Sequence, residues 1–249
     1  MHPLIETIYA TRCVEDADGN TWEAFPASIS HEDGMALYHI VRQAQAKRTL
    51  EVGMAFGVSS LFILQALDEN HGEQHTSIDP WQEAWWHRAG LANVKRAGFE
   101  RLHRFFLAPS YEAMPKLIEN GEEFDFVFID GNHRFEYTLM DFMYADRVLR
   151  AGGYLMLHDP WLPAIRKVMA FIMRNRDESY QVAPECLRPA ASFWQGVMNG
   201  LRSLRANPYD VFSARYFARR VFNNYCVLKK IRHIDREDLD RTWDCYDSF

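Results

Sequence analysis

Two pairs of side chains stand out for what they could do to a proton or a cation. The stretch Phe124-Asp-Phe-Val-Phe-Ile-Asp130-Gly-Asn-His133 sets a carboxylate and an imidazole three residues apart, and Tyr154-Leu-Met-Leu-His158-Asp159 ends in a second carboxylate and imidazole. An imidazole titrates near neutrality and can take a proton from a hydroxyl, which makes His133 the candidate base, with Asp130 beside it as its catalytic partner. Asp130 and Asp159, at the ends of neighbouring strands, are placed to share a hard divalent cation, which would lower the pKa of a hydroxyl bound to it.

A third group of residues points to a ligand. Glu51-Val-Gly53-Met-Ala55-Phe-Gly57-Val-Ser59 has the form E-x-G-x-A-x-G-x-S. The small residues let the backbone turn sharply and let a ligand lie against it, and the helix that follows offers free N–H groups. A dinucleotide site prefers G-x-G-x-x-G with no acid ahead of it. An acid two residues before the first glycine suits a cationic or amine-bearing ligand, and S-adenosylmethionine carries both a sulfonium and an amine. Asp79, at the end of Thr76-Ser-Ile-Asp, can accept both ribose hydroxyls of an adenosine ligand. Asp79-Pro80 also has N-cap chemistry for a following helix. Ser110 is expected near the adenine edge.

The elements that must position these residues alternate along the chain. Strands are expected at 49–53, 76–79, 102–107, 124–130, 154–159, 180–183 and 224–230. Helices are expected from Ser30, whose Ser-His-Glu-Asp pattern is a capping box, and at 59–68, 83–97, 110–119, 135–149 and 163–174. Ala151-Gly-Gly153 is expected to close the helix before it. Strands alternating with amphipathic helices predict an α/β fold, a mostly parallel sheet covered on both faces, and ligands outside the carboxyl ends of its strands. Glu51, Gly53, Asp79, Ser110, Asp130, His133, His158 and Asp159 all fall at such ends. Residues 1–29 read as an irregular segment, 30–183 as the ligand-binding core, 184–222 as a helical insertion or lid, and 223–249 as the last strand with a tail.

Four ordered motifs, Glu51–Ser59, Ser77-Ile-Asp79-Pro, Phe124–His133 and Leu149–Asp159, resemble those of class I S-adenosylmethionine-dependent methyltransferases. The similarity is greatest to small O-methyltransferases of sugars and natural products, including the macrolide-sugar enzymes. That resemblance implies a Rossmann-like sheet of seven strands with the last antiparallel. It also implies cofactor contacts at Glu51, Gly53, Ala55, Gly57, Ser59, Asp79, Ser110 and Asp130, with Ala55 replacing the usual middle glycine. In the macrolide-sugar relatives the Asp-x-x-His segment supplies a metal ligand and the base, and an acidic pair completes the metal site. The metal ligands here would be Asp130, Asp159 and His158, magnesium or another divalent ion being the cofactor. His158 stands where those relatives carry an acid, which favours a softer ion or weaker hold on magnesium.

Composition narrows the partners. The chain has 249 residues, 28 Lys and Arg against 34 Asp and Glu, a net charge of −6, 48% apolar residues and 14% aromatics. An acidic globular chain is not expected to bind nucleic acid. Apolar runs are strand length, short of a membrane span, and no signal peptide is visible at the start. Four cysteines without CxxC spacing fit reduced thiols and a cytoplasmic protein. Residues 188–232 hold nine Arg and Lys against the single acid Asp210, interleaved with aromatics. This basic segment reads as a lid with a solvated face, with contact to a membrane surface or a second copy of the chain left open. Trp81, Trp85, Trp86, Tyr137 and Trp161 follow strand ends and suit a flat or sugar-like acceptor. The expected activity is methyl transfer to a hydroxyl of a small molecule, a sugar or glycosylated natural product. N-methylation of an amine, and a non-catalytic cofactor-binding subunit, are the alternatives.

Overall fold

The computed structural model describes residues 1–183 and 224–233. Its centre is a seven-stranded sheet built from β3 (Arg48–Val52), β4 (Gln74–Ile78), β5 (His103–Phe106), β6 (Phe124–Ile129), β7 (Leu149–His158), β8 (Tyr180–Val182) and β9 (Tyr225–Lys230). The order is β5-β4-β3-β6-β7-β9-β8. The five strands from β5 to β7 are parallel, and β9 runs antiparallel to both β7 and β8. This is the expected Rossmann-like α/β architecture.

The sheet is apolar on both faces because helices cover both. Phe126 and Phe128 of β6 point to one face, where they join Leu37 and Ile40 of α2 (His31–Gln43) and Leu61 and Phe62 of α3 (Val58–Glu69). Val127 and Ile129 point to the other, with Leu117 of α5 (Ser110–Glu119), Phe142 of α6 (Phe135–Val148) and Ile172 of α7 (Pro163–Asn175). The period of two along β6 thus divides the core into two layers. Ser30 caps α2 as its sequence predicts, its Oγ accepting the Asp33 N–H at 3.1 Å. No helix among the described residues is long and apolar enough to cross a membrane.

Three local expectations are corrected. Residues 1–29 are not irregular: they form helix α1 (Pro3–Thr11) and an antiparallel hairpin of β1 (Cys13–Glu15) and β2 (Thr21–Glu23). The helix expected over 83–97 is confined to α4 (Ala89–Arg96), and residues 80–88 instead make turns over the strand ends. The reason is bonding outside the helix pattern: Trp81 N–H donates to Asp79 Oδ1 at 2.7 Å, the Gln82 amide donates to the Ala55 carbonyl, and His87 and Arg88 take positive φ. Ala151-Gly-Gly153 lies within β7 rather than capping α6. A Cβ on Gly153 would stand 2.9 Å from the Asp125 carbonyl of β6, so glycine permits that strand approach. The insertion at 184–222 and the tail beyond His233 lie outside the described residues.

Candidate active site

The turn after β3 is shaped by close contacts that exclude side chains. Gly53 has φ +93°, and a Cβ there would lie 2.3 Å from the Asp130 carbonyl at the end of β6, so a side chain would drive the two strand ends apart. Ala55 also takes a positive φ of 46°, an unfavourable state for a residue with a Cβ. Asp79 holds it there: its Oδ2 accepts the N–H groups of Met54 at 3.1 Å and Ala55 at 2.8 Å, while Oδ1 accepts Trp81 N–H. One carboxylate therefore fixes both the glycine turn and the start of the 80–88 segment. Asp79 makes this side-chain turn with Trp81 and does not cap a helix. Burial pushes its pKa up, against the three backbone donors.

Two cavities, of about 510 and 520 Å³, open at the carboxyl ends of the strands and share a wall of Gly53, Ala55, Trp86, Asp130, Gly131 and His133. Each falls in the size range of small-molecule sites. The first extends over Asp79 and Ser110 and is bordered by Trp81, Trp85 and Tyr137. The rings of Trp81 and Trp85 stack with centroids 4.2 Å apart. The second reaches Ser59, Asp33, His158, Asp159, Trp161 and Asn224 and is closed by the segment 26–30.

Between the cavities stands a coupled set of acids and imidazoles. His133 Nε2 lies 3.3 Å from Asp130 Oδ1 and 3.0 Å from Asp159 Oδ2. His158 Nδ1 lies 3.1 Å from Asp130 Oδ1, and its Nε2 is 3.5 Å from Asp33 Oδ2 and 3.2 Å from the Asn224 amide nitrogen. The Asn224 amide and the Trp161 indole N–H both donate to Asp159 Oδ1 at 2.8 Å. Hydrogen bonds to Asp130 and then Asp159 raise the His133 pKa to about 9. Burial opposes charge on His158, yet the charge of Asp130 and the hydrogen bonds to the carboxylates around it push it up to about 12. Asp130 and Asp159 are correspondingly held below the usual carboxylate range.

Most residues expected at the site are brought together, with three departures. Glu51 lines neither cavity. It is fully buried beneath the turn, where its Oε2 accepts from Ser60 Oγ and faces His75 Nε2 at 3.2 Å. Gly57 also lines neither: its φ is +75°, and a Cβ would press on Gly90 of α4 at 3.0 Å, so its smallness serves helix packing. His158 has a carboxylate facing each ring nitrogen, Asp130 at Nδ1 and Asp33 at Nε2, which suits a buried imidazolium better than a metal ligand. Among the described residues, the group whose donor atoms lie within 4.8 Å of one another is instead Asp130, His133 and Asp159. Two carboxylates and one imidazole are a fitting N/O donor set for a divalent ion.

Three participants were missed. Asp33 shows in the sequence only as the acid of the Ser30 capping box, although its carboxylate also accepts from Ser30 Oγ at 2.7 Å and faces His158. Asn224 and Asp141 carry no local signal. For the adenosine ligand, the fit rests on the first cavity's size, on Asp79 at its floor, and on the absence of Lys and Arg from its described lining, which disfavours phosphates.

Comparison with known proteins agrees with this geometry. Residues 50–160 match the family model described as a methyltransferase domain. Caffeoyl-CoA O-methyltransferase of Populus kitakamiensis is 33% identical over 107 residues, 42% of this chain and 44% of that protein. Catechol O-methyltransferase of Niastella koreensis is 28% identical over 139 residues, 51% of this chain and 61% of its own. The chain thus spans about half the length of the curated relatives it matches. Among solved structures, the O-methyltransferase of tomaymycin synthesis from Streptomyces achromogenes, in complex with S-adenosylmethionine, superposes with a TM-score of 0.58 at 15% identity, covering 93% of this chain and 91% of that one. The four motifs, the matched segment and the sheet order converge: residues 50–160 are similar to a methyltransferase domain, and the fold is the Rossmann-like one of solved O-methyltransferases.

Proposed function

We propose that this chain transfers the methyl group of S-adenosylmethionine to a hydroxyl of a small molecule, with His133 as the base that removes the hydroxyl proton. The observation that carries this reading is the place of His133 on the wall common to both cavities, its Nε2 within 3.3 Å of two strand-end carboxylates. A hydroxyl held in the second cavity meets the imidazole on one side and the cofactor cavity on the other.

The chain's own residues divide the work. Asp79 receives the ribose diol, the turn around Gly53 and Ala55, bare of large side chains, carries the middle of the cofactor, and Ser59 borders the second cavity at the start of α3. His133 accepts the proton at Nε2, and Asp130 and Asp159 stabilise the imidazolium that results. Asp130 and Asp159 would hold a divalent cation; when bound, it supplies positive charge that lowers the pKa of an acceptor hydroxyl. The sulfonium is already a strong electrophile, so positioning and deprotonation are the main demands on the protein.

The acceptor class follows from what surrounds that hydroxyl. Neither cavity has Lys or Arg among its described lining residues, while Trp161 flanks the second and Trp81 and Trp85 border the first. That favours an uncharged, hydroxylated molecule with a flat or pyranose face, such as a sugar or glycosylated natural product, over a phosphate-bearing ester. Mass spectrometry after incubation with S-adenosylmethionine and a panel of neutral diols tests the reading. Methyl gain on a hydroxylated acceptor is the expected result. Tight S-adenosylhomocysteine binding without methyl transfer to any acceptor would point instead to a cofactor-binding subunit.

A further inference from the structure

We infer that Asp141, a carboxylate on α6 outside all four motifs, receives the exocyclic amine of the cofactor's purine and makes the site selective for adenine over 6-oxopurines. The inference rests on the S-adenosylmethionine reading above and adds the residue that reads the base.

Asp141 is 1% exposed, yet it lines the first cavity. Its Oδ1 has no hydrogen-bond partner among the described residues. A buried carboxylate oxygen without a donor is costly, and native structures rarely leave one without a use. The same cavity contains a contrasting acid. Asp79 is also buried, but backbone N–H groups of Met54, Ala55 and Trp81 already bond both of its oxygens, with acceptor capacity left for a ligand hydroxyl. No Lys or Arg is among the cavity's described lining residues to balance Asp141. Burial accordingly pushes its pKa up to about 6, and a hydrogen bond from Ser110 only partly offsets this.

An adenosine ligand presents hydrogen-bond donors in two places, the ribose diol and the exocyclic amine of the base. Asp79, at the end of β4, lies beside the turn that carries the ribose. Asp141 lines the same cavity, joined to Ser110 at the start of α5, and a Cβ on Gly131 would come 3.8 Å from its Oδ2. Two acceptor carboxylates thus match the two donor groups of one nucleoside. A 6-oxo base would set an acceptor oxygen against Asp141 and leave the carboxylate unpaired, so the arrangement discriminates by repulsion as well as by attraction.

Calorimetry with S-adenosylhomocysteine and S-inosylhomocysteine tests the assignment. The wild-type chain should prefer the adenosyl ligand by at least about tenfold, the effect of losing one charged hydrogen bond. In Asp141→Asn, whose amide can either accept from an amine or donate to an oxo group, the ratio should fall to within about threefold. An unchanged ratio in Asp141→Asn, or equal binding of both ligands by the wild type, overturns the inference. Should Asp141→Asn fail to fold, the wild type alone decides with the 6-unsubstituted purine analogue. That ligand loses the donor without gaining the repulsion, so it should bind between the other two; affinity equal to the adenosyl ligand overturns the proposal. A wild type that takes none of these ligands overturns the cofactor reading, and this inference with it.

Discussion

The two cavities share a wall but differ in how their acids are balanced. In the first, Asp79 and Asp141 face the ligand space with no Lys or Arg among its described lining residues, and backbone N–H groups bond Asp79 while Asp141 Oδ1 has no donor among the described residues. In the second, Asp33, Asp130 and Asp159 surround two imidazoles, and the protons on those rings supply the counter-charge. Carboxylates that lack a cation select for hydrogen-bond donors in a ligand. Carboxylates that face an imidazole stabilise whatever positive charge comes to lie there, whether the proton taken from a substrate hydroxyl or a divalent ion. One side of the wall is suited to holding a nucleoside, the other to moving charge.

The largest expected effect breaks that contrast on the second side. His133→Ala should lower kcat by about 10²–10⁴, the usual contribution of a positioned base, with S-adenosylhomocysteine affinity nearly unchanged because the base meets the acceptor. His158→Ala is the comparison, since its ring lies deeper among the same carboxylates. If His158→Ala loses the pH-dependent limb of the rate and His133→Ala keeps it, the base has been assigned to the wrong ring.

A second prediction uses the shifted His133. Hydrogen bonds to Asp130 and Asp159 favour the protonated ring and raise its pKa to about 9. The neutral form is the active base, so in chelator the rate should rise with pH through about 9. A divalent ion added back would compete for those carboxylates and move the limb towards the ordinary imidazole value of about 6.5 or below. A limb that stays put on metal addition argues that Asp130 and Asp159 hold no ion. Stability follows the same linkage. The folded-state pKa is raised, so the stabilisation is complete below about 6.5 and is lost as pH rises through about 9. In chelator, the melting-temperature gap between wild type and His133→Ala should therefore narrow over that window.

The fold was legible because strands and helices are local patterns. The β6 sequence Phe-Asp-Phe-Val-Phe-Ile is apolar at nearly every position, as a strand buried on both faces must be, and the glycine turn marks its own strand end. The site was legible where function sits at those ends: Asp79, Asp130, His133 and Asp159 are each one to four residues past a strand. It was not legible where tertiary packing delivers the group. Asp33 meets His158 across 125 residues of sequence and Asn224 meets it across 66. Asp141 lies mid-helix, where an acid reads as a solvated face until α5 packs against it. Glu51 was ambiguous for a different reason. An acid two residues before a glycine looks the same whether its side chain points to the ligand or to the core, and only the sheet register decides which.

On the first side of the wall, Asp79→Asn should weaken S-adenosylhomocysteine binding by about 10- to 100-fold, from lost charge-assisted bonds to the ribose and from loosening of the turn at Met54 and Ala55. Calorimetry checks it. An affinity within about twofold of wild type would remove Asp79 from the ribose.

The smallest expected effect on the ligand comes from Glu51→Gln, and it sharpens the boundary between ligand-facing and scaffold groups. Glu51 faces Ser60 and His75, and His75 Nδ1 lies 2.9 Å from Thr49 Oγ1, so the acid ties β3 to α3 and β4 beneath the turn. Glutamine keeps the volume but removes the charge. The bond to Ser60 weakens, and one amide donor is brought against a network already arranged around an acceptor. The cost should appear as about 1–3 kcal/mol of folding stability, read as a lower denaturant midpoint. S-adenosylhomocysteine affinity should stay within about twofold, because the side chain reaches neither cavity. The reverse pattern, an unchanged midpoint with affinity reduced tenfold or more, would return Glu51 to the ligand and mean that the acid of the turn acts through the cofactor's amine after all.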